Sequence, residues 1–307
     1  MADSIKHIAR QLSDSEDPHI RYKIMHSVYQ RPAASRELSI LRDEIAASPL
    51  VSTLLAEVRG GSIDLPVLAR WRGAHWVLHV LADIGSAAGD SRLHPLANQV
   101  LAELLSSERT EPCSGVIEGH ALHYLHFLGL ADERTNLLAD RLIQWSKDWY
   151  PEKTSTSFAQ ALVALRGLHL HAQCSDSPLA QTASVQLAHS LLDCHLYCKP
   201  GTSDPLGTDF VSLHYPCYDS ADVLFALKVM SETGYATDPR SSPAVQLLRS
   251  KQLADGTFPA ERKHYRPGRS EKGDDSLVNW GGTHRARGNI FVTLDALGSL
   301  RAAGELF

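Results

Sequence analysis

The sequence has little of what marks several common classes of protein. Its apolar runs fall short of the ~18–20 residues that cross a bilayer, so we expect no membrane span. The formal charge of −5 provides no basic surplus, which argues against a nucleic-acid partner. A Gly-rich phosphate loop, a Gly-x-Ser-x-Gly elbow and paired Cys-x-x-Cys motifs are missing, which argues against nucleotide cofactors and serine hydrolase chemistry. We therefore expect a globular protein that works without a cofactor.

Cysteine usage and the amino-terminal segment bear on location. The five cysteines are an odd number without a compact framework, which predicts reduced thiols. The segment MADSIKHIARQLSDSEDP has neither the apolar core nor the cleavage site of a signal peptide. Both observations predict a cytoplasmic protein.

Strand signals are also scarce, whereas one helical phrase recurs along the chain. An apolar helix end closes on Gly, a short turn follows, and Asp-x-Arg opens the next helix. The clearest copies are Gly85 with Asp90 and Arg92, Gly129 with Asp132 and Arg134, and Gly234 with Asp238 and Arg240. Gly tolerates the left-handed conformation that ends a helix, and Asp can cap the helix that follows. Helical hairpins repeated at roughly 40–60 residues are typical of a stacked or closed helical array.

The predicted helices are of two alternating kinds. One kind is apolar on more than one face, as expected of a buried helix. Its members are 20–29, 71–84, 113–128, 155–168, 216–230 and 290–303. The other kind is amphipathic with a charged face, and its members are 37–58, 94–107, 134–149, 180–197 and 242–252. The alternation predicts an inner ring of roughly six helices wrapped by an outer ring, in a single all-α domain over residues 1–307.

Two stretches carry a resemblance to a known family. QLADGTF, with Gln252, Gly256 and Phe258, is similar to one Q-x-x-x-G-x-W repeat of squalene–hopene cyclases, with Phe in place of Trp. LHYPCYDSADVLFALKVMSETGYATDPR, with the chain that follows it, resembles bacterial squalene-cyclase-like and prenyltransferase-like proteins of about this length. The resemblance runs from Asp17 to the end and is strongest after Ser212. It implies an (α/α)6 toroid with a central cavity.

The catalytic motifs of that family are missing. The chain has no Asp-x-Asp-Asp motif, and Asp274-Asp275 lacks the third Asp of the Asp-Asp-x-x-Asp magnesium motif. We therefore expect a cofactor-independent cyclase or isomerase that acts on a small apolar substrate, terpenoid or polyketide-like. The alternatives are a non-catalytic toroid that binds a lipid-like ligand or a protein, and a metal-assisted prenyltransferase-like enzyme.

The best catalytic candidates lie in the segment His214–Asp222. Pro216 suits the first turn of a helix, so we expect this segment to open an inner helix. Asp222 shares a helical face with apolar residues, and burial would raise the pKa of its carboxyl and make it a proton donor with His214 as its partner. The alternative for Asp222 is a structural bond to an Arg or a helix end, and for His214 capping or core packing.

Aromatic and polar residues near the other inner-helix starts are candidates for binding the substrate, because aromatic walls with a few polar groups suit such a cavity. The full set is Trp71, Arg72, His75, Cys113, Glu118, His120, Tyr215, Cys217, Tyr218, Tyr265, Trp280 and Asn289. The alternative for most of them is aromatic filling of the core.

A metal is not our first expectation. His214 and Cys217, with Asp219 or Asp222, are chemically acceptable zinc ligands. Cys194-His195-x-x-Cys198 also has the residue types of a metal site.

The long loop 259–288 is a candidate lid. Trp280 with Gly281 and Gly282 could close an apolar opening, and the loop is basic. Its basic residues are Arg262, Lys263, His264, Arg266, Arg269, His284, Arg285 and Arg287. Over a cavity mouth they could hold an anionic group of the substrate. The alternative is a solvated loop whose charge serves solubility.

Overall fold

A computed structural model describes residues 2–59, 66–109, 111–267, 275–276 and 278–306. The protein is mostly helical, as expected of an all-α chain. The helices are α1 (Ala2–Ser13), α2 (Pro18–Lys23), α3 (Arg36–Ala46), α4 (Pro49–Arg59), α5 (Ala74–Asp83), α6 (His94–Leu105), α7 (Val116–Phe127), α8 (Glu133–Asp148), α9 (Ser155–Ser175), α10 (Pro178–Asp193), α11 (Thr208–Val211), α12 (Val223–Glu232), α13 (Ser242–Ser250) and α14 (Ile290–Ala302). A π-helical turn, Ile24–Val28, continues α2.

From α5 onward, each apolar helix packs on the next apolar helix along the chain. α5 packs on α7, α7 on α9, α9 on α12, and α12 on α14. α14 in turn packs on the π-helical turn that follows α2. The amphipathic helices α6, α8, α10 and α13 each pack on the helix that precedes them, so the predicted alternation of two helix types is present.

Three predicted boundaries were wrong. The segment 37–58 is two helices, because Pro49 cannot continue α3 and instead begins α4. The buried helix that begins at Ser155 extends to Ser175, seven residues beyond the prediction. The helix expected to open at Pro216 begins at Val223, because Asp222 is its N-cap and accepts a hydrogen bond from the amide of Phe225.

The recurring Asp-x-Arg phrase is a turn that joins neighbouring helices. In all three copies the Asp side chain accepts from the amide of the Arg and from its guanidinium. Each Arg also reaches back to an earlier amphipathic segment: Arg92 to the carbonyl of Ala46, Arg134 to Asn98 and Arg240 to Asp193. The Gly before each turn has a positive φ, the conformation expected at a helix end.

Two glycines allow α7 and α9 to touch. A Cβ atom on Gly167 would lie 2.4 Å from the carbonyl oxygen of Gly119, closer than any side chain tolerates. Gly119 faces the backbone of Val163 in the same way. The backbones of these buried helices therefore meet directly.

The remaining features are minor. Arg266–Pro267 and Asp275–Ser276 form a two-residue parallel pair, β1 and β2. All five cysteines are free thiols. Within the described residues, no helix has both the length and the hydropathy needed to cross a bilayer.

Candidate functional site

A large cavity lies at the carboxyl-terminal ends of the buried helices. Its volume is about 500 Å³. Six segments line it, namely α2 with the π-helical turn, α5, α7, α9, α12 and α14, which we call the cavity helices. Their contributions fall late in each helix, as Asp83 in α5 and Phe127 in α7 show. The exposed side chains of Gln30 and Gln173 mark its outer part.

Four charged side chains form the inner part of the cavity, and we call them the ionic cluster: Lys23, Asp83, Lys228 and Asp295. Lys23 Nζ lies 3.2 Å from Asp83 Oδ2 and 2.8 Å from Asp295 Oδ1. Lys228 Nζ contacts Asp83 Oδ1 and lies 3.1 Å from Asp295 Oδ2. The four side chains are between 7% and 14% exposed, so each charge depends on the others.

Arg166 extends the ionic cluster. Its guanidinium forms a two-pronged ion pair with Glu232, and its Nη2 lies 3.6 Å from Asp83 Oδ1. The buried Nη1 has no hydrogen-bond partner in the described part of the chain. Tyr215 donates its hydroxyl proton to Asp83 Oδ2 at 3.0 Å.

The ionisation of these groups is fixed by their neighbours. Burial alone would raise the pKa of Asp83, but Lys228, Lys23 and Arg166 outweigh it and hold the pKa well below its usual range. Burial would lower the pKa of Lys228, but Asp295 and Asp83 raise it. Groups whose pKa values lie far from neutrality are poor general acids and bases. Asp83 and Lys228 are therefore suited to binding charge rather than to moving protons.

Side chains of the protein fill the space between the amino-terminal ends of the cavity helices. The hydroxyl of Tyr218 lies 2.9 Å from His75 Nδ1, and its ring stacks on His120 with an angle of 4°. His75 Nε2 is 2.9 Å from the carbonyl of Ile117, which can only accept, so Nδ1 accepts the tyrosine proton. His120 Nε2 donates to the carbonyl of Tyr218 at 2.8 Å. Burial lowers the pKa of His75 to about 4, so this imidazole is neutral near pH 7.

A second group of predicted residues packs beside the first. Trp71 meets Trp76 edge to face at 4.5 Å and Tyr265 at 5.7 Å, while Arg72 is half-buried in the turn before α5. The Tyr265 hydroxyl accepts from the amide of Trp280, whose carbonyl accepts from the side chain of Asn289. Asn289 is also the N-cap of α14. These contacts are those of a packed core.

Cys113 and Glu118 lie apart from those groups. Glu118 Oε1 is 3.3 Å from Arg109 Nη2, and its other oxygen accepts from the amide of Ser114. Burial, with the charge of Glu118, raises the pKa of the Cys113 thiol to about 12. Cys113 is therefore a poor nucleophile.

Asp222, the expected proton donor, does not line the large cavity. Its side chain is fully buried, and both oxygens accept backbone hydrogen bonds, Oδ2 from His214 at 2.7 Å and Oδ1 from Phe225 at 2.8 Å. His214 Nδ1 also lies 3.0 Å from Oδ2, and His214 Nε2 lies 3.6 Å from Cys217 Sγ. Burial alone would lower the pKa of His214, but Cys217 and Asp222 raise it well above its usual range. The structure thus brings the two catalytic candidates together. Asp222 is the N-cap of α12, and His214 is the member of the pair that would carry the proton.

The sequence contains two groups of residues that could bind a metal, and the structure brings only one of them together. His214, Cys217 and Asp222 each offer one ligand atom, and these atoms lie within 4.8 Å of one another. No comparable cluster forms around Cys194 and Cys198 in the described residues, because His195 instead contacts the carbonyl of Arg240 at 3.1 Å.

The described residues of the loop 259–288 lie away from the large cavity. Trp280 is fully buried and packs against Tyr215 and Phe291, so it belongs to the core. Arg262 pairs with Asp209. None of the loop residues that the structure describes lines the large cavity, so this part of the loop forms no lid over it. Arg269 lies outside the described residues.

Comparison with known proteins finds no matching family, no matching curated protein and no matching solved structure. The site must therefore be interpreted from its own residues.

Sequence reasoning missed the ionic cluster, although a signal for it was present. Five of the cavity helices carry an isolated charged residue in an otherwise apolar stretch, as in YKIM, LADIG, VALRGL, ALKVM and TLDALG. Ionisable groups are seldom buried unless they are paired. Such residues on several buried helices indicate that the helices bring their charges together.

Proposed function

We propose that the protein binds a small amphiphilic molecule in the large cavity, with an anionic group held by the ionic cluster and Arg166. The observation that supports this proposal most strongly is a cavity of about 500 Å³ whose lining includes the cationic side chains of Lys23, Arg166 and Lys228. That volume lies within the range of small-molecule sites, about 300–1,000 Å³. The apolar part of this ligand matches the small apolar substrate that the sequence predicts, whereas the sequence assigned a possible anionic group to the basic loop 259–288.

The hydrogen-bonding capacity of the cavity favours an anion. Both oxygens of Asp83, Asp295 and Glu232 already accept from cations. Lys23 and Lys228 each use two of three ammonium protons, and Nη1 of Arg166 has no partner in the described chain. The unused donors around the cavity therefore carry positive charge, which a carboxylate or phosphate would match.

The rest of the lining suits an apolar body. Tyr22, Phe127 and Leu170 line the cavity beside the polar side chains of Gln30 and Gln173. His123 also lines it, and burial holds its pKa well below the usual range, so it adds no positive charge near pH 7. A molecule with one anionic end and an apolar remainder would bury both parts favourably.

The expected cyclase or isomerase activity remains part of this proposal, with one change of role. The proton would be held by His214, oriented by Asp222, because the Asp222 carboxylate is engaged by two backbone amides. Neither residue lines the large cavity, so this chemistry would need a part of the ligand to reach the small neighbouring pocket that His214 lines together with Asp83 and Lys228. The (α/α)6 toroid is likewise a proposal, supported by the order of helix contacts and by the Lys23–Asp83 pair, which joins α2 to α5. Small-angle scattering tests the ring, because a compact 307-residue chain should have a radius of gyration of about 19 Å and an open solenoid a larger one.

A pair of fluorescent probes tests the cavity. Anilinonaphthalene sulfonate carries an apolar body and an anionic group, whereas N-phenyl-1-naphthylamine has a similar body without charge. We expect one sulfonate probe to bind per chain, more tightly than the neutral probe, with an advantage that falls as salt is added. Equal affinity for both probes would contradict the anionic end of the proposal.

Two matched substitutions locate the binding. Gln173→Trp places an indole at the outer part of the cavity, whereas Gln181→Trp places one on the exposed face of α10. We expect only Gln173→Trp to weaken the sulfonate probe, by about tenfold, which corresponds to about 1.4 kcal/mol. Equal binding by the two variants would place the probe outside the cavity.

A further inference from the structure

We propose that Arg166 binds the anionic group of the ligand in the large cavity, and that Glu232 occupies this position until the ligand displaces it. This assignment rests on the proposed function and narrows the ligand class. The group that is displaced is a carboxylate with a single negative charge. The ligand is therefore a molecule with an apolar body and one monoanionic group, of which a carboxylate is the simplest.

The charges that line the cavity cancel before any ligand binds. The described lining has as many cations as carboxylates, namely Lys23, Arg166, Lys228, Asp83, Glu232 and Asp295. Burial lowers the pKa values of the three imidazoles that also line it, so these add no charge near pH 7: His26, His123 and His169. An anionic ligand would leave an excess negative charge in this largely buried site, which is costly unless a carboxylate moves out.

Glu232 is the carboxylate that can leave most easily. Its side chain is 33% exposed, compared with 8% for Asp83 and 11% for Asp295. It is the last residue of α12, where the negative end of the helix dipole disfavours a carboxylate. Its two hydrogen bonds both come from Arg166, whereas Asp83 and Asp295 each bridge two lysines. Glu232 can therefore turn towards solvent while the ionic cluster stays intact.

Arg166 is held in place and cannot follow Glu232 outwards. It lies in the middle of α9, its side chain is 4% exposed, and its guanidinium lies 5.9 Å from the centroid of the Phe225 ring. Its Nη2 also lies 3.6 Å from Asp83 Oδ1. Departure of Glu232 would therefore free Nε and Nη2 inside the cavity. These two donors match the two oxygens of a carboxylate, which a guanidinium binds in parallel.

The exchange selects ligands by their charge. A carboxylate ligand replaces one negative charge with another, so the cavity stays neutral. A phosphate monoester carries about −1.5 to −2 at pH 7 and would leave the cavity too negative. A neutral molecule of the same shape cannot replace Glu232 and therefore makes no contact with the freed donors of Arg166.

The first test removes the internal competitor. Glu232→Gln keeps the shape of the side chain without its charge, and Glu305→Gln does the same in the exposed pair with Arg249. We expect Glu232→Gln to bind anilinonaphthalene sulfonate, a monoanion, at least about tenfold more tightly than the wild type or Glu305→Gln, because like charges in one site repel strongly. The gain should remain at about 1 M salt, since direct contacts are screened less than separated charges. N-phenyl-1-naphthylamine should bind all three proteins alike. Equal affinity of Glu232→Gln and the wild type for the sulfonate probe would overturn the inference.

A second measurement follows Glu232 in the wild type, so a folding defect in a variant cannot obscure the result. A carbodiimide with glycine ethyl ester converts accessible carboxylates to amides, and peptide mass spectrometry gives the rate at each residue. We expect the sulfonate probe to speed labelling of Glu232 by about threefold, the ratio of full exposure to its present 33%. The neutral probe should leave that rate unchanged, and neither probe should affect Glu305. Binding of the sulfonate probe without faster labelling would overturn this inference alone, whereas failure of the probe to bind the wild type would overturn the proposed function as well.

Discussion

At their amino-terminal ends the cavity helices meet aromatic rings and neutral imidazoles in direct contact, whereas at their carboxyl-terminal ends they meet lysines and carboxylates around a cavity. Tyr218 fills the first end by contacting His75 and His120. At the second end Lys23 and Lys228 each bridge Asp83 and Asp295. The difference teaches that the space between buried helices can be filled by aromatic side chains of the same chain or lined by paired charges that leave room for a ligand.

The largest effect is expected from the ionic cluster. Asp83→Asn removes the carboxylate shared by Lys23, Lys228 and Arg166 and leaves these three buried cations with only two carboxylates, so we expect a loss of about 3–5 kcal/mol in the free energy of unfolding. Asp219→Asn is the matched control, because its pair with Arg70 is solvent-exposed and should be worth less than about 1 kcal/mol. Urea unfolding measures both. Similar losses in the two variants would mean that the ionic cluster is solvated like the surface.

Truncating one aromatic side chain at each end sharpens the contrast in packing. Tyr218→Ala leaves a void among Trp76, His75 and His120, and we expect a loss of about 3–5 kcal/mol. Phe127→Ala widens a cavity that already exists, so it should cost less than about 2 kcal/mol. Thermal unfolding of both variants gives the comparison. An equal cost would show that the two ends are equally well packed.

Acid should destabilise the amino-terminal end through His75. Its pKa falls from 6.5 to about 4 on folding, so the unfolded chain binds the proton more readily between those values. Stability is then fully present above pH 6.5 and is lost as the pH falls towards 4, by up to about 3 kcal/mol. His75→Gln should reduce this slope when unfolding is measured at several pH values. An unchanged slope would assign the acid sensitivity to other groups.

The smallest effect concerns one hydrogen bond. Tyr218→Phe keeps the stacked ring and removes the proton that His75 accepts, so we expect a loss of about 1 kcal/mol by urea unfolding. Tyr150→Phe, at a 67% exposed tyrosine, is the matched control and should change little. A loss as large as that of Tyr218→Ala would mean that the hydrogen bond, rather than the ring, holds this end together.

Local patterns in the sequence were enough to predict most of the longer helices and the Asp-x-Arg turns between them. Asp132 caps α8 and holds Arg134 because the interacting residues are neighbours in the chain. The end at which the helices enclose space could not be predicted in this way. It depends on contacts such as that of Tyr218 with His75, which are 143 residues apart. Trp280 was misinterpreted for a related reason, because an aromatic residue in a long loop suits a lid and a core equally well until its partners are known.

The contact between Lys23 and Asp295 has a consequence for how the molecule is made. These residues are 272 positions apart, yet they share one ion pair. During synthesis the helix pairs α5–α7 and α7–α9 can form as soon as they emerge, because their contacts are local. Lys23 must wait for α14 before its second carboxylate arrives, and contacts of such long sequence separation form late. A nascent chain that stalls before Asp295 therefore has an incomplete ionic cluster, and the apolar faces of α12 and the π-helical turn that α14 covers stay exposed, which is the kind of surface that makes an intermediate prone to aggregate.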